Sequence, residues 1–457
     1  MARDKTIDKD MFENAPIPAA VRSFVIPSLI STLITIIYSM ADTFFVGMLA
    51  DPRQMAALTI VFPFYNMLPA FANLWGVGAN SVMSVSLGKR DYERVSRVSL
   101  YGFWGSVAFM AVICLGWTAL ATPLLTFGGG GPETMDYAKS YMFAGFVLGG
   151  IPTVLSIVMA NLLRAEGHAK TASAGLMLGG ILNCFLDPLF IFGFGQGILG
   201  AAVATALSNV VSLAFFLVVY ARMRSTSYVR LLPYAHRFEP SAVGEIILCG
   251  LPSCVLVVLG AIGCMVQNSL YAKYGTAVVA GWGVVLRVSF IGINSAHGTA
   301  QGVLPLVGYN YGAKNFDRMR ACTLEAIKYL TAITILLLAA CELFPSQIIR
   351  AFINEPDSIA AGTVVMRIYM ICTPFMCTIL FVATLCQAIG RWQYALGLLA
   401  LRQLAFNIPI TIVLERIFQQ PGIPAGQPTC DIICFFLALL VYHHCFVRLV
   451  QKEQQSD

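Results

Sequence analysis

The sequence predicts an all-α integral membrane protein, with twelve transmembrane helices in two pseudo-symmetric six-helix lobes around a central cavity. Three observations carry this prediction. The 457 residues are 58% apolar and only 11% charged, with a mean hydropathy of +0.76, whereas an ordinary soluble domain is about a quarter charged. Apolar runs of spanning length recur between short polar loops. The second half of the chain also repeats the first.

A transmembrane helix needs about 20 mostly apolar residues, and the runs of that kind fix the number of helices. Twelve of them, bounded by charged, Gly or Pro residues, are predicted near residues 20–48, 55–86, 97–122, 136–160, 170–193, 198–221, 244–272, 277–308, 321–343, 360–388, 394–414 and 430–449. The stretches between them are too short for a soluble domain. The first run is itself long enough to span and follows about twenty mixed residues, which indicates a retained helix and not a cleaved signal peptide.

Basic residues are placed unevenly along the chain, and their placement predicts its orientation. With the amino terminus inside, twenty Lys and Arg residues fall in inner segments and only five in outer loops, namely Arg53, Lys139, Lys273, Arg350 and Arg416. Positive charge concentrates in cytoplasmic loops. The sequence therefore predicts a multi-pass protein of the cell (inner or plasma) membrane with cytoplasmic termini. Its predicted parts are an amino-terminal segment 1–19, a first lobe 20–221, a cytoplasmic linker 222–243, a second lobe 244–449 and a tail 450–457.

The internal repeat is visible in several matched stretches. IPSLISTLI at 26–34 resembles LPSCVLVVL at 251–259, and GANSVMSVSLGKRDYERV at 78–95 resembles GVLPLVGYNYGAKNFDRM at 302–319. Matched residues stay 222 to 225 positions apart. Six spans in each half make the repeats parallel, so the halves should be related by an axis along the membrane normal, with a cavity between them. This plan is typical of a transporter, whereas a channel more commonly needs a filter or a symmetric oligomer.

Two carboxylates interrupt the apolar runs of the first half. Apolar residues continue past Asp42 in FFVGML, which indicates that its helix does not surface there. Asp187 lies in LNCFLDPLF, and Asn183, four residues earlier, shares its helix face. A carboxylate inside the bilayer costs about 3 kcal/mol on insertion scales. The structural alternatives are that Asp42 ends its helix in the headgroup region and that a neighbouring helix satisfies Asp187.

The depth of these residues favours a shared site. At 1.5 Å per residue, Asp42 lies about 12 Å and Asp187 about 9 Å into the outer half of their spans. Thr205, in the next span, falls near the same level. Together Asp42, Asn183, Asp187 and Thr205 would supply the oxygens of a sodium site, or an acid pair that holds a proton through desolvation and mutual repulsion.

The second half differs, because Glu325, Glu342 and Glu415 all fall near span ends and no Asp or Glu is predicted deep within a span. Its candidates for lining a substrate cavity are Gln267, Asn268, Arg287, Asn294, His297 and Gln301. Arg367 and Arg402 also lie within spans. Arg287 and Arg367 either pair with backbone carbonyls or line the cavity. The abundant aromatic and Met residues would suit amphipathic cations.

Cysteine and histidine give no sign of catalysis. The thirteen cysteines contain no CxxC pair. The five histidines, His168, His236, His297, His443 and His444, are dispersed, whereas a membrane enzyme would need a cluster of catalytic side chains. The sequence therefore predicts no catalytic residue, no enzyme activity and no cofactor other than H⁺ or Na⁺ as a coupling ion.

Three stretches resemble a known family. They are the pattern P-x14-D-x-F-F-V-G that begins at Pro27, GANSVMSVSLGKRDYERV at 78–95, and NCFLDPLFIFGFGQGILGAAVAT at 183–205. Together they resemble the multidrug and toxic compound extrusion (MATE) family, and the opening of the chain is most similar to its MepA-like bacterial branch. The resemblance implies two six-helix lobes, alternating access and drug export driven by a proton or sodium gradient. It also implies that Asp42, Asn183, Asp187 and Thr205 bind the coupling cation and that the first helix bends at Pro27.

The function that the sequence favours is therefore an antiporter for amphipathic, often cationic drugs or metabolites. The alternative is a flippase for a lipid-linked oligosaccharide or cell-wall precursor, which would use cavity arginines such as Arg287 and Arg367 to hold a pyrophosphate. The expected partners are a small-molecule substrate and the lipid bilayer, with no nucleic acid, and the protein is expected to be a monomer. The resemblance also implies that the family's NorM branch adds acids in the seventh and tenth helices, and no acid is predicted deep within the corresponding spans here.

Overall fold

A computed structural model describes residues 10–49, 51–127, 130–233 and 238–448. The predicted tail 450–457, residues 1–9 of the amino-terminal segment and residues 234–237 of the linker lie outside these ranges. The described part has eleven helices that are long and apolar enough to span a membrane, and a twelfth span formed by two helices bent by 47°. The all-α fold class predicted from the sequence is confirmed.

Six spans form the first half. They are α1 (Ile17–Gly47), α2 (Pro52–Tyr65 continued by Met67–Gly88), α3 (Tyr92–Phe127), α4 (Met135–Met142, Phe143–Leu148 and Gly149–Ala165), α5 (Ala169–Pro188 and Leu189–Gly193) and α6 (Gly197–Met223). Six more form the second half. They are α7 (Pro240–Ala272), α8 (Thr276–Gly312), α9 (Phe316–Leu343), α10 (Pro356–Met370 and Thr373–Ala388), α11 (Trp392–Ala400, Leu401–Asn407 and Ile408–Phe418) and α12 (Gly422–Tyr442 and His443–Arg448).

Several spans contain short π-helical stretches, in which the backbone hydrogen bond spans five residues. One of them, Leu189–Gly193, directly follows Asp187 and Pro188 in α5. Another, Leu401–Asn407, interrupts α11 and carries the buried side chains of Arg402 and Gln403. Insertions of this kind are often found at functional sites because they re-aim side chains out of the regular helical register.

The two lobes are packed together where α2, α7 and α8 cross, and glycines make these crossings close. A Cβ atom built on Gly78 would lie 1.9 Å from the carbonyl oxygen of Ile246 in α7. A Cβ atom on Gly88 would lie 2.0 Å from the carbonyl oxygen of Tyr309 in α8, and one on Gly312 would lie 2.1 Å from that of Val85 in α2. Gly88 and Gly312 are 224 positions apart, so the repeat itself builds a reciprocal contact between the lobes.

Charged side chains join the lobes at this same end, which we call the closed end. Arg94 of α3 pairs with Glu245 of α7. Its repeat counterpart, Arg318 of α9, donates to the backbone oxygens of Phe12 at 2.6 Å and Ala15 at 2.7 Å, just before α1. In each lobe, one arginine of the repeated motif therefore contacts the opposite half of the chain.

We expect Gly312→Ala to weaken this packing, because the added methyl group would collide with a backbone carbonyl and force the helices apart by roughly 1 Å. The measurement is the distance between spin labels on cysteines that replace the exposed residues Glu93 and Asp317, in a variant without native cysteines. Gly312→Ala should lengthen and broaden this distance. The matched control is Gly397→Ala, since a Cβ atom at Gly397 has no neighbour within 4 Å. Unchanged distances in Gly312→Ala would show that the crossing tolerates a side chain.

Candidate functional site

Helices α1, α5 and α6 bring together the four residues that the sequence singled out in the first lobe. Asp187 is completely buried and Asn183 is 1% exposed. The Asn183 Nδ2 atom donates to Asp187 Oδ1 at 2.9 Å and also contacts Thr205 Oγ1 at 3.2 Å. The spacing of four residues between Asn183 and Asp187 thus does place both side chains on one face of α5, toward α6.

Asp42 enters this group from α1. Its side chain is partly buried and lies within electrostatic reach of Asp187. Two neighbouring carboxylates repel each other when both are charged. The arrangement therefore favours occupation by a positive charge.

We call Asp42, Asn183, Asp187 and Thr205 the carboxylate site. Three of its oxygens have no hydrogen-bond partner within the described part of the chain. They are Asp42 Oδ1, Asp187 Oδ2 and Asn183 Oδ1, and all three are buried. Buried polar atoms are nearly always partnered, and unpaired acids at membrane depth mark ion or proton pathways. Carboxylate, amide and hydroxyl oxygens suit a hard cation, and a proton on either carboxylate would also reduce the repulsion. The side-chain oxygens of this site would therefore suit a proton or Na⁺.

Three tyrosines surround the carboxylate site, and the sequence did not single them out. Tyr38, Tyr65 and Tyr141 all lie within electrostatic reach of Asp42 and Asp187. The Tyr65 side chain lies close to that of Thr205, and its ring centroid is 6.0 Å from that of Tyr141. Of the three, only the position of Tyr38 could have been predicted from the sequence, since it lies four residues before Asp42 and shares its helix face.

A family model described as MatE matches residues 27–189 and 252–413 of this chain. The chain belongs to the MatE family. The family is that of the multidrug and toxic compound extrusion transporters, as the sequence motifs predicted. The two matched segments begin 225 positions apart and end 224 apart, so the MatE pattern occurs once in each half and confirms the internal repeat.

Two curated relatives extend the MatE match over nearly the whole chain. The multidrug export protein MepA of Staphylococcus haemolyticus is 28% identical over 445 residues, which cover 96% of this chain and 96% of the relative. MepA of Staphylococcus aureus is 26% identical over 435 residues, which cover 94% of this chain and 95% of the relative. The predicted similarity to MepA is confirmed.

A solved MatE structure shows the same fold. It is described as the outward-facing conformation of a multidrug resistance MATE family transporter, and it superposes with a TM-score of 0.92 over 98% of this chain and 100% of that chain, at 23% identity. The twelve helices of such transporters form two lobes, which confirms the predicted architecture.

The predicted hinge, Pro27, lies inside a continuous helix. The α1 helix runs from Ile17 to Gly47 without interruption. In this conformation the helix therefore continues on both sides of Pro27. Proline removes one backbone hydrogen bond, which leaves a weak point in the helix. A bend at Pro27 in another conformation stays a prediction.

The structure does not bring the six candidate cavity residues of the second lobe together into one contact group. At the start of α8, Trp282 Nε1 donates to Asn268 Oδ1 at 2.8 Å, close to the buried Tyr271. Deeper in α8, His297 Nε2 lies 3.4 Å from Gln301 Nε2. The remaining three are placed separately: Gln267 is buried, Arg287 is exposed and the Asn294 amide donates to the Phe290 oxygen.

The expectation that the second half holds no deep acid is wrong. Asp431 is fully buried and lies nine residues into α12, which begins at Gly422. The sequence placed the start of this span at residue 430, because Pro421, Pro424 and Pro428 in PGIPAGQPT indicate a loop. Prolines are tolerated in membrane helices where neighbouring groups satisfy the freed carbonyls, so the helix begins two turns earlier.

Proposed function

We propose that the protein is a secondary active antiporter, which exports amphipathic, often cationic drugs or metabolites by alternating access in exchange for H⁺ or Na⁺. The observation that carries the proposal is the pair of buried carboxylate oxygens, Asp42 Oδ1 and Asp187 Oδ2, which lie within spans of the first lobe and have no hydrogen-bond partner among the described residues. The names of the MepA relatives support the drug class. The protein works as a monomer and needs no cofactor beyond the coupling ion.

The geometry supports a simple exchange. The site binds a cation from the outside, where the cation concentration or the membrane potential favours loading. Loading neutralises the repulsion between Asp42 and Asp187 and lowers the affinity of the first-lobe cavity for drug. Antiport requires this kind of negative coupling between two ligands, and the coupling is reciprocal. In this account Pro27 is where α1 bends when the site is loaded.

The experiment that tests this function is transport of a fluorescent cationic dye in proteoliposomes, under proton and sodium gradients imposed separately. Dye movement against its gradient should follow one of the two ion gradients and stop when that gradient is collapsed. Dye movement that ignores both gradients would contradict antiport.

The flippase alternative is supported by Arg287 and Arg367, which are both exposed side chains within spans of the second lobe. Arg402, another arginine of these spans, is already paired with Asp431, so it is less suited to hold a pyrophosphate. Translocation of a fluorescent polyprenyl pyrophosphate analogue, without dye export, would select the flippase.

We also propose that both termini and the linker 222–243 lie in the cytoplasm, which places the closed end on the cytoplasmic side and makes this conformation outward-facing. The support is the basic charge of these segments and the position of Arg94 and Arg318 at the closed end. A cysteine that replaces the exposed Arg224, in a variant without native cysteines, should react with a membrane-impermeant maleimide only after cells are permeabilised. A cysteine at exposed Glu133 in the opposite loop is the control and should react in intact cells. The reverse pattern would invert the orientation.

A further inference from the structure

The second lobe contains a buried ion pair between α11 and α12. Arg402 Nε lies 2.7 Å from Asp431 Oδ1, and Arg402 Nη2 lies 3.2 Å from Asp431 Oδ2. Asp431 is fully buried and Arg402 is 6% exposed. A two-pronged contact of this kind is the strongest geometry that a guanidinium and a carboxylate can adopt, so the pair is electrically neutral as a unit.

Two amides complete a polar network around this pair. Gln427 Nε2 donates to Asp431 Oδ2 at 2.8 Å. The Asn407 amide donates in turn to Gln427 Oε1. Unlike Asp187, Asp431 has a partner on each of its two oxygens.

The network lies where the internal repeat places the counterpart of the first-lobe carboxylate site. Asn407 is 224 positions after Asn183, and Gln427 is 222 after Thr205. The amide of Asn183 contacts Thr205 between α5 and α6, and the amide of Asn407 contacts Gln427 between α11 and α12. The same contact is thus built twice, once in each lobe.

Two glycines fix this alignment independently of the polar residues. A Cβ atom on Gly200 would meet the backbone of Phe190 and lie 2.9 Å from the nitrogen of the next residue. A Cβ atom on Gly422 would meet the backbone of Leu414 in the same way, again 2.9 Å from the nitrogen of the next residue. Gly422 is 222 positions after Gly200, the same offset as between Gln427 and Thr205.

The charges of the two sites differ. Thr411 stands 224 positions after Asp187 and carries no charge. The acid of the second lobe, Asp431, stands 222 positions after Asn209, one turn further along its helix. Arg402 stands 224 positions after Leu178, so the first lobe has no cationic side chain at the matching place. Among the residues that the structure describes, the first-lobe site is an acid pair that makes no ion pair with a basic side chain, and the second-lobe site is a single acid paired with an arginine of the same chain.

We propose that the Asn407–Gln427–Asp431 network is the second lobe's counterpart of the carboxylate site, and that the guanidinium group of Arg402 permanently fills the place that a mobile cation takes in the first lobe. The second lobe then neither takes up nor releases a coupling ion, and all ion exchange belongs to Asp42 and Asp187. This consequence for coupling rests on the proposed antiport, whereas occupation of the site by a guanidinium group is testable without transport.

The test is to remove the tethered cation and supply a free one. Arg402→Ala should unfold several degrees below the wild type in detergent, because it leaves Asp431 buried and unpaired. Guanidinium chloride at low millimolar concentration should recover most of that loss, since a ligand that binds only the folded state stabilises it. Equal concentrations of sodium chloride and of urea are the controls for ionic strength and for denaturant effects.

The double variant Arg402→Ala/Asp431→Asn is the matched control, and guanidinium should not stabilise it. Equal responses of the single and double variants, or no response in the single variant, would overturn the proposal. If Arg402→Ala does not accumulate, Arg402→Lys and Arg402→Gln decide. The lysine variant keeps a tethered cation, so its melting temperature and its dye export should match those of the wild type. The neutral glutamine variant should melt at a lower temperature and lose dye export. A glutamine variant equal to the wild type would show that Asp431 needs no cation. None of these melting temperatures depends on whether the protein is an antiporter.

Discussion

Asp42→Asn and Asp187→Asn should each reduce ion-driven dye export to the level of protein-free liposomes, while both proteins insert and purify normally. Asparagine keeps the shape and the hydrogen-bonding capacity of the side chain, and the apolar surroundings tolerate a neutral amide better than a carboxylate. What it removes is the charge that attracts the coupling cation. The measurement is export of the dye in proteoliposomes at matched protein content.

The matched control is Asp136→Asn, which neutralises an exposed carboxylate of the same lobe and should leave export unchanged. The double variant Asp42→Asn/Asp187→Asn should be no worse than either single variant, because residues that act as one site do not contribute additively. Full transport by both single variants at normal expression would remove the carboxylate site from the coupling mechanism.

Drug affinity should fall as the pH is lowered, and this is the second large effect that we expect. At low pH the carboxylate site is filled by protons, and in the proposed exchange a filled site disfavours drug. If one proton leaves for each drug molecule bound, the dissociation constant changes by up to about tenfold per pH unit over the range in which the site titrates. Protonation also removes the charge around which α1 stays solvated, and Pro27, about four turns earlier, offers the place for that helix to bend.

Binding of the dye to detergent-solubilised protein at several pH values measures this effect. The Asp42→Asn variant should bind the dye with little dependence on pH, since it lacks the group whose protonation opposes binding. If the variant keeps the pH dependence of the wild type, the coupling proton is held elsewhere. If binding of the dye to the wild type depends on the sodium concentration and not on pH, the same site uses Na⁺.

Hydropathy and the internal repeat predicted the fold well, because both are properties of long segments. The bounds of most spans differ by only a few residues from the prediction. Asn183 does contact both Asp187 and Thr205, and Asp42 lies within electrostatic reach of Asp187. Polar residues are rare in such spans, so each of them is informative. An unusual residue type therefore marked which side chains pack together, and their role in binding a cation stays a prediction.

Prediction from the sequence was less successful where the residue type is common or the span boundary is unclear. Tyr65 and Tyr141 adjoin the carboxylates through the packing of α2 and α4 against α6, which no pattern within one helix shows. The depth of Asp431 was not predicted, because the prolines before it indicate a loop where the first two turns of α12 lie. Its partner Arg402 lies in the π-helical stretch of α11, and sequence periodicity does not reveal such an insertion.

The central claim is that drug and a coupling cation compete through Asp42 and Asp187. The most direct measurement is the release of that cation when the dye is added to purified wild-type protein, followed as proton release in weakly buffered solution and as release of bound radioactive sodium. We predict that the wild type releases one of the two ions in proportion to the dye bound, and that Asp42→Asn/Asp187→Asn binds dye without releasing either. Equal release from the double variant, or dye binding by the wild type with no release of either ion at any pH tested, would contradict the account.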